Sequence, residues 1–157
     1  MRYLLIDKIK EIEVKKKIYA IKNIALSEDI FVDHFFGFPV MPGAMLIECL
    51  AQAGTALLEV SYKFKKKALL VIVEQAKFRS LIRPGDQLSI EGELISLDSD
   101  SAQMEGKIKR EDMVVMTARL IFALREANEF YPEKTRHLMQ TVYDIWLREA
   151  KIKNLNT

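Results

Sequence analysis

Residues His34–Gly54 read HFFGFPVMPGAMLIECLAQAG, and their reading decides the fold. The first part, His34 to Met41, is an aromatic approach segment punctuated by Gly37 and Pro39. From Pro42 onward the spacing predicts a long helix to about Val60 or Tyr62. Proline suits a first helical turn, where its missing N–H costs nothing and its φ is already set. The run Ala44-Met45-Leu46-Ile47, then Cys49-Leu50-Ala51, is apolar nearly all round, which marks a buried helix. Glu48 interrupts it. Ala44 and Gln52 lie four residues to either side and Thr55 a turn beyond, so a narrow polar stripe runs along one face. A buried carboxyl in such a stripe serves either a structural network or chemistry.

Working outward, the chain has 157 residues, enough for one domain with a real core. Half of it is hydrophobic, which excludes a disordered chain. Lys and Arg number 24 against 22 Asp and Glu, a net charge of +2 that argues against a nucleic-acid protein. The single cysteine, Cys49, has no internal disulfide partner and reads as a buried small hydrophobe. No apolar run reaches the roughly eighteen residues of a membrane span, and Met1–Ile6 is too short for a secretory signal. A reducing, cytoplasmic setting is the expectation.

Leu4–Ile12 reads as a first strand or lead-in, Glu13–Lys17 as a charged turn and Ile18–Ile24 as a strand with alternating faces. Beyond the helix, KFKKK at Lys63–Lys67 reads as a solvated loop, or as a docking patch for an acidic partner. Leu69–Phe78 is strand-like, and Leu69-Leu70-Val71-Ile72-Val73, apolar on both faces, is expected to be buried. Pro84-Gly85-Asp86 is a turn. Gln87–Ser96, Gln103–Lys109 and Met113–Leu124 follow as strands separated by short polar turns. Neighbouring strands joined by short turns predict an antiparallel sheet, and one buried helix is its natural filling. The expected class is α+β, an antiparallel sheet wrapped round one long helix. Glu126–Pro132 reads as a linker. Glu133–Lys151 reads as a second helix, with Leu138, Val142, Ile145, Trp146 and Glu149 in one stripe that Met139 and Tyr143 widen. This divides the chain into residues 1–125 and an extension, 126–157, packed on the same domain or on a neighbouring subunit.

The stretch DHFFGFPVMPGAMLIECLAQAG resembles the signature of the 3-hydroxyacyl-[acyl-carrier-protein] dehydratases of the FabZ type, roughly HFPGxPxMPGVLxxEAxAQ. Lys77-Phe78-Arg79 through Arg83-Pro84-Gly85-Asp86-Gln87-Leu88 is similar to a second family segment, and Leu4-Leu5-Ile6-Asp7-Lys8 to a third. The resemblance covers about residues 3–125. Phe36 stands where the family usually has proline, the strand Leu69–Val73 lacks the family's aromatics, and the family's P-H-R-x-P segment has no counterpart here. The helix at Glu133–Lys151 is an addition to the family core.

The resemblance implies the hot-dog fold, and a homodimer, often a trimer of dimers, with active sites across the interface. It implies dehydration of a 3-hydroxyacyl thioester in fatty-acid or specialised lipid synthesis. That reaction needs a base for a Cα proton, an acid for the departing hydroxyl and a donor for the thioester oxygen. His34 is the implied base, since an imidazole titrates near neutrality. Glu48, fourteen residues on as in the family, is the implied acid, acting through or beside a water. Gly43, opening the helix, offers its amide to the thioester carbonyl and leaves room for substrate. Gln52, one turn beyond Glu48, is placed to orient the carboxyl. Phe35, Phe36, Phe38 and Met41 are candidates for lining an acyl tunnel. Lys77, Arg79 and Arg83, with Lys65–Lys67 behind them, are candidates for docking an acidic acyl-carrier protein. No metal and no cofactor is expected, and His137 reads as a surface residue. Two rivals stand beside this reading: a hot-dog thioesterase, and a catalytically silent acyl-binding or carrier-binding module. A dehydratase–isomerase is disfavoured because it usually has Asp at the position of Glu48.

Overall fold

The computed structural model describes residues 3–132, 134 and 136–155. Along them run β1 (Lys8–Glu13), β2 (Lys17–Asn23), α1 (Gly43–Ser61), β3 (Lys66–Phe78), β4 (Gln87–Leu97), β5 (Ser101–Arg110), β6 (Met113–Glu126), α2 (Arg136–Leu147) and β7 (Lys151–Lys153). The strands form one sheet in the order β3-β6-β5-β4-β2-β1-β7. Every pairing is antiparallel except β1 with β7, so the sheet is mixed, where an antiparallel one was expected.

The sheet closes round α1 because β2, β4, β5 and β6 turn their apolar positions the same way. Ile18 and Ala20 of β2, Leu88 and Ile90 of β4, Met104 and Ile108 of β5, and Leu120 and Phe122 of β6 are all buried. Leu50, Leu57 and Leu58 of α1 fill the space they enclose. Two glycines allow this close approach. A Cβ on Gly106 of β5 would stand 2.3 Å from Leu50 Cδ1, and one on Gly54 of α1 would stand 2.5 Å from Phe122 Cζ. α1 is also the one helix among the described residues long and apolar enough to cross a membrane, but 67% of that stretch is buried inside the protein. Its apolarity is that of a core helix. Pro42 sits just ahead of the first turn as its N-cap, its carbonyl accepting from the Met45 amide at 2.9 Å.

Three readings of the chain need correction. Leu69–Val73 is not buried on both faces: β3 is an edge strand, and Val71, Ile72 and Val73 are 55%, 49% and 41% exposed. The second helix is shorter than Glu133–Lys151. Glu133 lies outside the described residues, the helix ends at Leu147, and Lys151–Lys153 is a strand. That strand pairs Lys-Ile-Lys with Glu11-Ile12-Glu13 of β1, with Lys153 Nζ 2.9 Å from Glu11 Oε2. Complementary charge and three parallel partners override any helical preference. Within α2, Ile145 is 60% exposed, whereas Tyr143 and Trp146 enter the core. The Leu138 side chain lies outside what is described.

The KFKKK segment also differs from a solvated loop. Lys66 and Lys67 begin β3, and Lys67 Nζ lies 2.6 Å from Glu59 Oε1, a carboxylate 2% exposed. Tyr143 of α2 donates its hydroxyl to the other oxygen of Glu59. α2 therefore packs on its own chain, and its aromatic residues belong to the same core as α1.

Candidate active site

The approach loop is held by its own backbone. The Val40 amide donates to the His34 carbonyl at 2.9 Å, and Phe35 and Phe38 exchange amide–carbonyl bonds at 3.1 and 2.9 Å. Gly37 takes the left-handed φ of +75° that this tight return requires. His34 Nδ1 lies 2.8 Å from the Val40 carbonyl oxygen. A carbonyl only accepts, so Nδ1 carries the hydrogen, and in a neutral imidazole Nε2 keeps the lone pair. The loop thus fixes the tautomer and leaves Nε2 as the basic atom.

The other aromatics divide. The Phe35 ring stacks on His34 at 4.2 Å, and Arg83 lies over the Phe38 ring at 4.4 Å. Phe36 is 98% exposed. Met41 is buried in the core, its amide bonded to the Ile82 carbonyl at 2.8 Å. Ahead of the loop, Lys22 of β2 is 5% exposed and pairs with Glu28 Oε1 at 2.9 Å. The same oxygen accepts from the Ala25 amide, so this buried ion pair fixes where the loop leaves the sheet.

At the start of α1, the amides of Gly43 and Ala44 precede the first intrahelical bond and are free to face a ligand. A Cβ on Gly43 would meet the Phe78 ring at 3.0 Å, so the residue is confined between the approach loop and the end of β3. One and a half turns on, Glu48 Oε1 accepts from Gln52 Nε2 at 3.0 Å. Gln52 is itself fully engaged, donating to the Tyr3 carbonyl at 3.1 Å and accepting from the Leu5 amide at 2.9 Å. Between the two sits Cys49, whose thiol burial pushes up to about 12, so it is inert as a nucleophile. Among the described residues no hydrogen bond or ion pair joins His34 to Glu48, and no cluster of His, Cys, Asp and Glu gathers as a metal site.

The structure separates the three basic residues expected to act together. Arg83 lies beside the approach loop. Lys77 and Arg79 instead line a groove of about 560 Å³ with Glu91, Lys107 and Arg119, and Arg79 donates to Thr117 Oγ1. The cluster of Glu59, Lys67 and Tyr143 was not anticipated. Glu59 continues the stripe Glu48, Gln52, Thr55 by one more turn, the periodicity that could have found it.

A FabA-like domain model matches residues 1–119. The chain belongs to the FabA-like family. Within that family it is similar to curated FabZ proteins named 3-hydroxyacyl-[acyl-carrier-protein] dehydratase. One from Caldicellulosiruptor saccharolyticus is 39% identical over 78% of this chain and 89% of its own length. Another, from Hydrogenobaculum sp., is 38% identical over 78% and 85%. Among solved structures, the dehydratase heterocomplex ApeI:P from Xenorhabdus doucetiae superposes with a TM-score of 0.65 at 18% identity, covering 89% of this chain and 90% of that one. The fluoroacetyl-CoA thioesterase FlK matches with a TM-score of 0.64 at 12% identity, over 80% and 96%. These two likenesses show the shared hot-dog fold of this FabA-like chain: a sheet wrapped round a central helix.

Proposed function

We propose that this FabA-like protein dehydrates 3-hydroxyacyl thioesters on acyl-carrier protein to trans-2-enoyl thioesters, in fatty-acid or related lipid synthesis. The observation that carries the reading is a His34 imidazole with Nδ1–H engaged by Val40 and Nε2 open, in the motif frame that also holds Glu48 on Gln52. His34 Nε2 takes the Cα proton. Electron density builds on the thioester oxygen, which the Gly43 amide receives at the positive end of α1. The Cα–Cβ double bond then forms as the Cβ–O bond breaks, and Glu48 delivers a proton to the leaving hydroxyl, which departs as water. The proton gained by His34 and lost by Glu48 is restored through solvent, so no cofactor is required.

The site is read as shared between two protomers, His34 from one and Glu48 from its partner, since nothing bonds them within one chain. The sheet edges support this. β7 is three residues long and presents Lys151 and Lys153, a guarded edge. β3 is thirteen residues long with Val71, Ile72 and Val73 uncovered, an unguarded edge that a second copy would extend. Arg83, and more distantly Lys77 and Arg79, offer positive charge to an acidic carrier. Phe35, Phe36 and Phe38 offer apolar surface to the acyl chain beside His34. A cytoplasmic location fits this substrate.

The test is hydration of a trans-2-enoyl thioester on acyl-carrier protein by wild type, His34→Ala and Glu48→Gln. Turnover by wild type that collapses in both folded variants supports the assignment. Release of free thiol instead of hydration would replace it with a thioesterase.

A further inference from the structure

The helix α2 and strand β7 lie beyond the matched family domain and have no part in the chemistry above. They nevertheless touch the segment on which the acid depends. Residues Tyr3–Asp7 lead into β1 without being a strand, so their backbone groups need partners elsewhere. The Tyr3 carbonyl and Leu5 amide both bond the Gln52 side chain of α1, at 3.1 and 2.9 Å. The next carbonyl, that of Ile6, accepts from the indole Nε1 of Trp146 in α2 at 2.8 Å. The Asp7 amide donates to the Ile21 carbonyl of β2 at 2.9 Å. Leu5, Ile6 and Trp146 are 4%, 3% and 7% exposed, so water is not available to replace the partners of the Leu5 amide and the Ile6 carbonyl.

We infer that Trp146 is a positioning residue for Glu48, acting through the Tyr3–Ile6 segment and Gln52. The inference rests on Glu48 being the acid of the proposed dehydration. Gln52 has one productive orientation: its oxygen must face the Leu5 amide, so its NH₂ faces Tyr3 and Glu48. The place of Leu5 therefore sets the place of the Gln52 amide, which sets the Glu48 carboxylate. Trp146 holds the residue next to Leu5 through the Ile6 carbonyl. Its indole has a single N–H donor and no acceptor, so the bond to Ile6 is its one polar tie. α2 is itself fixed by the Tyr143 hydroxyl on Glu59, by the edge-on contact of the Tyr143 ring with Phe64 at 4.8 Å, and by β7 against β1, so loss of the hydroxyl alone leaves the other two ties. The added C-terminal elements thus clamp the lead-in against α1.

The test uses the full chain with Trp146→Phe, which keeps an aromatic ring but removes the N–H. Tyr143→Phe serves as control, since it loosens α2 at Glu59 without touching Ile6. For Trp146→Phe, kcat falls about two- to tenfold, the range one hydrogen bond covers, while KM is unchanged. Tyr143→Phe lowers the melting temperature and leaves kcat at the wild-type value. In a Gln52→Leu background, Trp146→Phe lowers kcat no further, because the link is already cut. A wild-type kcat in Trp146→Phe, or equal losses in both backgrounds, overturns the inference. Hydrogen exchange of the Leu5 amide reads the link without turnover: it quickens in Trp146→Phe and holds in Tyr143→Phe, and unchanged exchange in Trp146→Phe overturns the link. Wild type that folds but does not turn over overturns the dehydratase reading itself, and with it the role of Glu48.

Discussion

Gln52→Leu is the substitution whose consequences the geometry defines most fully. Leucine keeps the volume and removes three hydrogen bonds at once. The Tyr3 carbonyl can turn to water, since Tyr3 is 54% exposed. The Leu5 amide cannot, because Leu5 is 4% exposed. An orphaned buried donor costs about 1–3 kcal/mol, and the lost bond to the Glu48 carboxylate about 1 kcal/mol more, giving about 2–4 kcal/mol in all. For a chain of this size that lowers the melting temperature by about 5–15 °C. kcat falls as well, because Glu48 loses the donor that orients it. Gln52→Glu separates the two effects. It keeps an acceptor for Leu5 but sets a second carboxylate 3.0 Å from Glu48, so its stability recovers on acidification as the pair shares a proton. Thermal and urea melts of both variants, with turnover on the same samples, make the measurement. A Gln52→Leu protein within about 0.5 kcal/mol of wild type, the scale of an ordinary surface change, would show that the Leu5 amide does not depend on Gln52.

Other perturbations have defined outcomes. Glu59→Gln leaves the Lys67 ammonium without its countercharge and costs about 2–4 kcal/mol in a urea melt, less than a fully buried pair because Lys67 keeps some solvent contact. Adding Lys67→Met to it reduces that cost. Alkaline pH weakens the fold. Burial pushes the Cys49 thiol up to about 12, and burial followed by the Glu59 charge pushes Tyr143 up. Burial acts downward on Lys67, but Glu59 overrides it and leaves Lys67 raised. The folded chain therefore keeps protons that the unfolded chain releases first, so stability is full below about pH 9 and declines toward pH 12. Urea midpoints across that interval should fall, and fall less in Cys49→Ala. Ile72→Lys, on the open edge of β3, should convert the proposed dimer to monomer in size-exclusion chromatography and abolish turnover while the chain stays folded.

Much of this fold was legible because its signals are local. α1 is apolar from Met45 to Val60 outside the one stripe of Glu48, Gln52, Thr55 and Glu59, and Pro42 opens it, so its existence and its burial can be read locally. β2, β4, β5 and β6 alternate faces and are separated by turn residues such as Pro84-Gly85-Asp86. β7 was not legible: Lys-Ile-Lys has no pattern of its own and becomes a strand through Glu11-Ile12-Glu13, far away in the chain. The exposure of β3 was hidden for a related reason. An apolar run signals that it will be covered, and not whether its own chain or another covers it. The proposed site residues His34, Gly43, Glu48 and Gln52 were picked out through a motif whose members are close in sequence. The ties that hold them are not: Leu5 to Gln52 and Trp146 to Ile6 join elements brought together by folding. Glu59 was missed because its partners, Lys67 and Tyr143, sat in segments read as a loop and as the flank of a helix stripe.

Subunit complementation can show whether the proposed dehydratase site is divided between two protomers. His34→Ala and Glu48→Gln proteins, each inactive alone, are mixed, allowed to exchange subunits, and assayed for hydration of an enoyl thioester. In a symmetric dimer each mixed pair rebuilds one intact site, from the His34 of one chain and the Glu48 of the other, so activity returns to about a quarter of wild type. No recovery despite demonstrated subunit exchange would place both residues of each site in a single chain and contradict the account.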